Sequence, residues 1–252
     1  MNPAALIPFL LLLLPGLALS IGAAMVAFVV FQVRRRRRLE PQQPPFEPAA
    51  HRRSPGILPA FMGRPACWLA VKTRSSPAVQ RALGLHHPKP CSFIEGLTGV
   101  EKLFVSPPVD GWILVLGASL PNPGDDVDAC FRFLLDLSRK LGEVQFFIAD
   151  PVLHEHGWVR ANCGRVARAY AWGGKTLWTQ GRMTEAEKAL DLKCFDYVES
   201  GGRPSSAESD LIAANVEKVP LLAARWSLDP ACIDERLLEH ERGVAGEPSV
   251  KF

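Results

Sequence analysis

Residues 144–172 read VQFFIADPVLHEHGWVRANCGRVARAYAW, and the fold class turns on them. Val144–Ile148 (VQFFI), apolar but for Gln145, reads as a buried strand. Gly157–Ala161 and Val166–Trp172 then form the two arms of a hairpin turning through Asn162, Cys163 and Gly164. On the second arm Val166, Arg168, Tyr170 and Trp172 fall on one face, and Ala167, Ala169 and Ala171 on the other. That period of two predicts a strand. The alanine face would admit a close neighbour. Gly173-Gly174 bends the chain into a further strand over Thr176–Trp178.

Upstream, Cys67–Val71 and Trp112–Gly117 read as strands, the second bounded by Pro107-Pro108 and Pro121-Asn122-Pro123-Gly124. Pro77–Leu83 reads as a short helix with Ser76 as its cap. After these comes the clearest helical signal. Val127, Cys130, Phe131, Leu134, Leu137 and Leu141 recur at helical spacing. Asp125, Asp126 and Asp128 at the start and Arg139 and Lys140 at the end suit the helix dipole, and Gly142 supplies the stop.

Downstream the pattern turns helical. Thr184-Glu185-Ala186-Glu187 is a capping box opening a helix to Leu192. Ser206 is expected to cap a helix through Val216, which Pro220 ends or restarts. Asp229-Pro230 is expected to launch a last helix toward His240. The order of elements predicts an α+β domain over residues 61–252, with a largely antiparallel sheet and C-terminal helices, not strict βαβ alternation.

The first 60 residues have a different character. Ala4–Val33 carries no charge and exceeds the roughly 20 residues a helix needs to cross a bilayer. Arg34, Arg35, Arg36, Arg37 and Arg38 follow at once. A cleaved leader would want a basic start, which Met1–Pro3 lacks, and apolar sequence continues past Ala18-Leu19-Ser20. The expectation is one retained transmembrane helix, residues 1–38 forming anchor and arginine cluster. Basic flanks stay on the cytoplasmic side. The N-terminus is therefore expected outside and the body inside, at the inner membrane of the cell. The arginines also suit anionic lipid headgroups. Residues 39–60 hold Pro41, Pro44, Pro45, Pro48, Pro55 and Pro59 and read as an extended spacer.

The net charge is +3. Seven arginines and two glutamates before position 60 give +5, so the remainder is −2. A mildly acidic body lacks the footprint of a nucleic-acid binder, and none is expected as a partner.

Candidate chemistry is sparse. Trp158, Arg160, Arg168, Tyr170, Trp172 and Trp178 mix aromatic and basic groups, a combination that binds peptides, carbohydrates or headgroups when exposed. When buried, the same rings fill a core while cations reach outward. These six are the candidate ligand-binding residues. His154 and His156 would share a strand face, which suggests a metal-dependent enzyme as the alternative, but the helical His-Glu-x-x-His spacing is absent. His86-His87 near Cys91 is a weaker signal. Six scattered cysteines form no Cys-x-x-Cys pair and read as reduced core residues. Gly117-Ala118-Ser119 fails the Gly-x-Ser-x-Gly pattern, and Gly174-Lys175-Thr176 lacks the earlier glycine of a phosphate loop, since Ala169 stands there. No catalytic residue and no cofactor is assigned.

The phrases Ser106–Trp112 (SPPVDGW), Gly142–Phe147 (GEVQFF), Arg168–Trp172 (RAYAW), Thr176–Gly181 (TLWTQG) and Trp226–Pro230 (WSLDP) resemble a family of uncharacterised bacterial membrane-anchored proteins. The resemblance spans roughly Gly111 to Trp226. That family has no assigned activity, so it carries over no functional residue. The function expected from the sequence is a membrane-tethered cytoplasmic binding or scaffold module with a protein partner.

Overall fold

The computed structural model describes residues 65–98, 101–197 and 206–249. The expected anchor (residues 1–38) and the expected spacer (residues 39–60) lie outside them. No helix among the described residues is long and apolar enough to cross a membrane.

The strands are β1 (Cys67–Val71), β2 (Leu85–Ser92), β3 (Leu103–Val105), β4 (Ile113–Leu116), β5 (Glu143–Asp150), β6 (Glu155–Asn162), β7 (Arg165–Trp172), β8 (Thr176–Gln180) and β9 (Arg242–Pro248). The helices are α1 (Ser76–Ala82), α2 (Phe93–Leu97), α3 (Val127–Leu141), α4 (Glu185–Ala189), α5 (Ser206–Trp226) and α6 (Glu235–His240). Among the described residues the strands form one sheet in the order β2-β9-β3-β4-β1-β5-β6-β7-β8. Every neighbouring pair is antiparallel. The α+β expectation holds.

Antiparallel sheets commonly leave one face to water. Here both faces are covered. On one side Val79 and Leu83 at α1 and Cys130, Leu134 and Leu137 of α3 pack on Leu69, Val71, Val115, Val144 and Phe146. On the other, Ile212, Val216, Val219, Leu222 and Ala223 of α5 pack on Trp68, Phe147, Trp158 and Tyr170. A strand with helices on both sides must be apolar at every position, which is why β4 (ILVL) and the centre of β5 are continuous apolar runs.

The local signals act as their chemistry requires. Asp126 caps α3, accepting from the Ala129 amide at 2.9 Å, and Gly142 ends it at φ +88°. Both Cys163 and Gly164 take positive φ in the β6–β7 turn. Two boundaries shift: Ser75, not Ser76, caps α1, and the hairpin arms are longer than expected, running Glu155–Asn162 and Arg165–Trp172.

The C-terminal part needs larger corrections. Helix α5 continues through Pro220 to Trp226. Its buried face against the sheet outweighs the one backbone bond that proline removes. Asp229-Pro230 opens only a 3-10 turn (Pro230–Cys232), and α6 starts afresh with Asp234 as cap. The chain then returns to the sheet as β9, between β2 and β3.

Edge strand β2 reads LHHPKPCS, with its central residues exposed. Pro88 and Pro90 cannot donate to a ladder, so they protect the edge from further pairing.

The ring of Phe104 on β3 is held between two glycines. A Cβ on Gly96 of α2 would sit 2.3 Å from Phe104 Cγ, and one on Gly243 of β9 would sit 2.4 Å from Cε2. Helix propensity alone favours Gly96→Ala by about 1 kcal/mol. Overpacking costs about 1–3 kcal/mol. The ring contact should win, so Gly96→Ala is expected to lower the melting temperature by several degrees; a rise would show that the ring yields freely.

Candidate functional site

The structure separates the six hairpin residues. Trp158 on β6 and Arg168, Tyr170 and Trp172 on β7 project into the layer covered by α4 and α5. Trp178 on β8 lies on the opposite face, where it meets Phe131 of α3 edge-on at 5.6 Å. Exposure is 0% for Trp158 and Tyr170, 3% for Arg168, 6% for Trp178 and 8% for Trp172. Arg160 alone is half-buried. The other five are interior and lie on two faces of the sheet, so the six form no continuous surface. The large-and-small alternation of β7 marks two packed layers of unequal depth, not an inside and an outside. Ala169 and Ala171 leave the room that Trp178 occupies.

Around Arg168 the interior is polar but closed. Glu187, at the third position of α4, is 0% exposed. Its Oε1 accepts from Trp158 Nε1 at 2.6 Å and Arg168 Nε at 2.8 Å. Its Oε2 accepts from the Thr184 amide at 2.6 Å, completing the capping box. The remaining guanidinium donors go to the carbonyls of Ala169 (2.9 Å) and Gln180 (3.2 Å) and to Cys194 Sγ (3.0 Å). Burial pushes the Cys194 thiol up to about 11 despite the nearby guanidinium, so it stays protonated and unreactive. Each charge in this cluster is answered by another group of the same chain, which is how a buried ion pair remains tolerable.

A second cluster lies beside it. His156 on β6 is 0% exposed, with its ring 6.1 Å from Trp158, 5.8 Å from Tyr170 and 6.4 Å from Trp172. Above it, Asn215 of α5 accepts from the Lys193 amide at 3.0 Å and donates to the Lys193 carbonyl at 2.7 Å. Those two bonds fix the amide orientation. The other Nδ2 hydrogen therefore points at His156 Nε2, 3.1 Å away. That nitrogen must be an acceptor, so the proton sits on Nδ1 and the ring is neutral. Nδ1 makes no hydrogen bond of ordinary geometry, and its interaction with the His154 backbone only partly opposes the effect of burial. Burial pushes the imidazole down to about 4.

Residues 191–197, which lack regular structure, are strapped over these rings by side chains. Besides Asn215 and Arg168, the Tyr170 hydroxyl accepts from the Phe195 amide at 3.0 Å. Thr176 Oγ1 donates to the Phe195 carbonyl at 2.7 Å, and Phe195 packs on Trp172 at 5.1 Å between centroids. Tyr197 OH accepts from the Thr179 amide on edge strand β8 at 2.9 Å. Only the Thr184 box was visible from local spacing; Asn215, Cys194 and the strap carried no signal of their own.

A third polar group closes the other end of this layer. Glu143 Oε1 accepts from Arg160 Nε at 3.0 Å and Gln145 Nε2 at 3.1 Å, and Lys72 Nζ lies 3.4 Å from Oε2. Gln145 Nε2 also reaches the Trp226 carbonyl at 3.3 Å, joining the end of α5 to the sheet.

The remaining candidates resolve into local structure. His154 is exposed in the β5–β6 turn at φ +55°, while His156 is buried, so the two imidazoles do not share a strand face. Among the described residues no three His, Cys, Asp or Glu side chains could hold a metal ion. Gly174 takes φ +73° in the β7–β8 turn, where the Gly173 amide donates to the Lys175 carbonyl at 3.0 Å. The Gly-Lys-Thr triplet is thus a hairpin turn. Gly117 takes φ +139° against the Lys102 carbonyl, and the Ser119 amide donates to the same oxygen at 3.0 Å. The cysteines are unpaired, and burial pushes Cys67 to about 11 and Cys130 to about 12.

Comparison with protein-family models, with curated proteins and with solved structures finds no match in any of the three.

Proposed function

We propose that the chain is a membrane-tethered cytoplasmic binding or scaffold module. One observation carries this reading: the uncharged run Ala4–Val33 followed directly by Arg34–Arg38. Retaining five guanidinium groups on the inner side sets the orientation, and the proline-rich residues 39–60 would serve as the link between anchor and body. The pairing of Glu187 with Arg168 and of Glu143 with Arg160 within the chain supports a packing role for these polar groups. The hairpin aromatics are then the core of the module, and a protein partner would meet its outer surface.

A reporter fused after Phe252 tests the orientation. A fluorescent protein that matures only in the cytoplasm should glow and sediment with membranes, while a phosphatase that needs export should be inactive. Replacing Arg34–Arg38 by asparagine should scramble the two signals. An active phosphatase on the unaltered chain would overturn the reading.

A further inference from the structure

Among the described residues the most exposed large apolar side chains are Val152 (83%) and Leu153 (63%), adjacent in the β5–β6 turn behind Pro151. Scattered apolar residues on a surface need no explanation. This pair differs in two respects.

Its backbone amides are already paired within the turn. Asp150 Oδ1 accepts from the Val152 amide at 2.8 Å and from the Leu153 amide at 2.9 Å. An amide already paired within its own turn costs far less to place in an apolar medium than a bare one. The turn is also placed where the chain joins the sheet. The Ala149 amide donates to the Ala66 carbonyl at 2.8 Å, and Cys67 pairs with Ile148. The described chain therefore enters the sheet, at residues 65–67, at the same end that carries Val152 and Leu153. The Cys163-Gly164 turn lies at the opposite end.

We propose that the Pro151–Leu153 turn is a second, lipid-facing contact that seats the body on the bilayer. The inference rests on the tethered reading above. Two apolar side chains bind lipid weakly alone, but a tether makes their docking intramolecular, at an effective concentration of about a millimolar. The charges nearby select the kind of surface. Asp150 and Glu155 flank the turn, and Asn122 Nδ2 reaches Glu155 at 3.2 Å, bringing the loop before Asp125, Asp126 and Asp128 to this end. Anionic headgroups would be repelled here, whereas a zwitterionic interface accepts the apolar pair.

The test uses the full chain in phosphatidylcholine vesicles, with and without a nitroxide quencher on the acyl chains. A fluorescent unnatural side chain is placed at position 153 in one preparation and at position 163 in another. Quenching several-fold stronger at 153 than at 163, lost in Val152→Asp, is the expected result. Equal, weak quenching at both positions in chains that float with the vesicles overturns the lipid contact and leaves the tether intact. Quenching at 153 that persists in Val152→Asp overturns it as well. Chains that do not float overturn the tether, and the seating contact with it.

Discussion

Glu187→Ala is expected to lower the stability of the folded body by about 3–5 kcal/mol, the range for removing one partner of a buried ion pair. The substitution strands Arg168, which is 3% exposed, and removes the acceptor of Trp158 Nε1. It also deletes half of the capping box of α4. Glu187→Gln should help little. Both carboxylate oxygens receive donors, so a side-chain amide must aim one N–H at another N–H. The double variant Arg168→Met with Glu187→Leu should recover much of the loss, because apolar replacements of a buried pair are often neutral. Urea unfolding of the chain in mild detergent, followed by tryptophan fluorescence, measures all three. A Glu187→Ala midpoint equal to the parent's would refute the assignment of this pair as the keystone of the α4 layer.

Acid should weaken the fold through His156. The folded imidazole titrates at about 4 against an ordinary 6.5, so the folded state disfavours the proton. On acidification the unfolded chain takes up that proton first. The stabilisation is therefore complete above pH 6.5 and is lost as pH falls from 6.5 toward 4, by roughly 3 kcal/mol in all. The geometry states the cost directly: a protonated Nε2 would point its hydrogen at the Nδ2 hydrogens of Asn215, whose orientation Lys193 holds. Releasing Asn215 would free both the strap and α5. Glu95, Asp191 and Glu247 are held below the usual carboxylate range by hydrogen bonds from Ser92, Lys193 and Lys102. They add a loss of the same sign at lower pH. His156→Phe separates the contributions, since the carboxylates are common to both proteins. Its unfolding free energy should lose the slope between pH 6.5 and 4.5 that the parent shows. A parent curve flat across that window would disprove the neutral, buried state.

Part of this architecture is written locally. Helix α3 could be read whole because its apolar spacing, acidic cap and terminal glycine agree over 15 residues. The β6–β7 hairpin and the Thr184 box could be read because turn and cap chemistry act within a few residues. Strand β9 could not. Its sequence, RGVAGEP, has little strand propensity, and its partners β2 and β3 lie more than a hundred residues earlier. Gly243 and Gly246 look like breaks in a strand; Gly243 is instead the space into which Phe104 fits. The proline-bearing β2 likewise becomes a strand only because β9 lies beside it.

Local composition and periodicity were enough to establish the antiparallel α+β class and the capped helices α3 and α4, since each depends on neighbours in the chain. The second covered face of the sheet depends instead on α5 and on the strap at residues 191–197 arriving from a distance. Their arrival put Trp158, Tyr170 and Trp172 in the interior, joined Glu187 to Arg168 and held His156 neutral. Burial and pairing are properties of whatever packs against a residue, and no spacing within a strand can state what that will be.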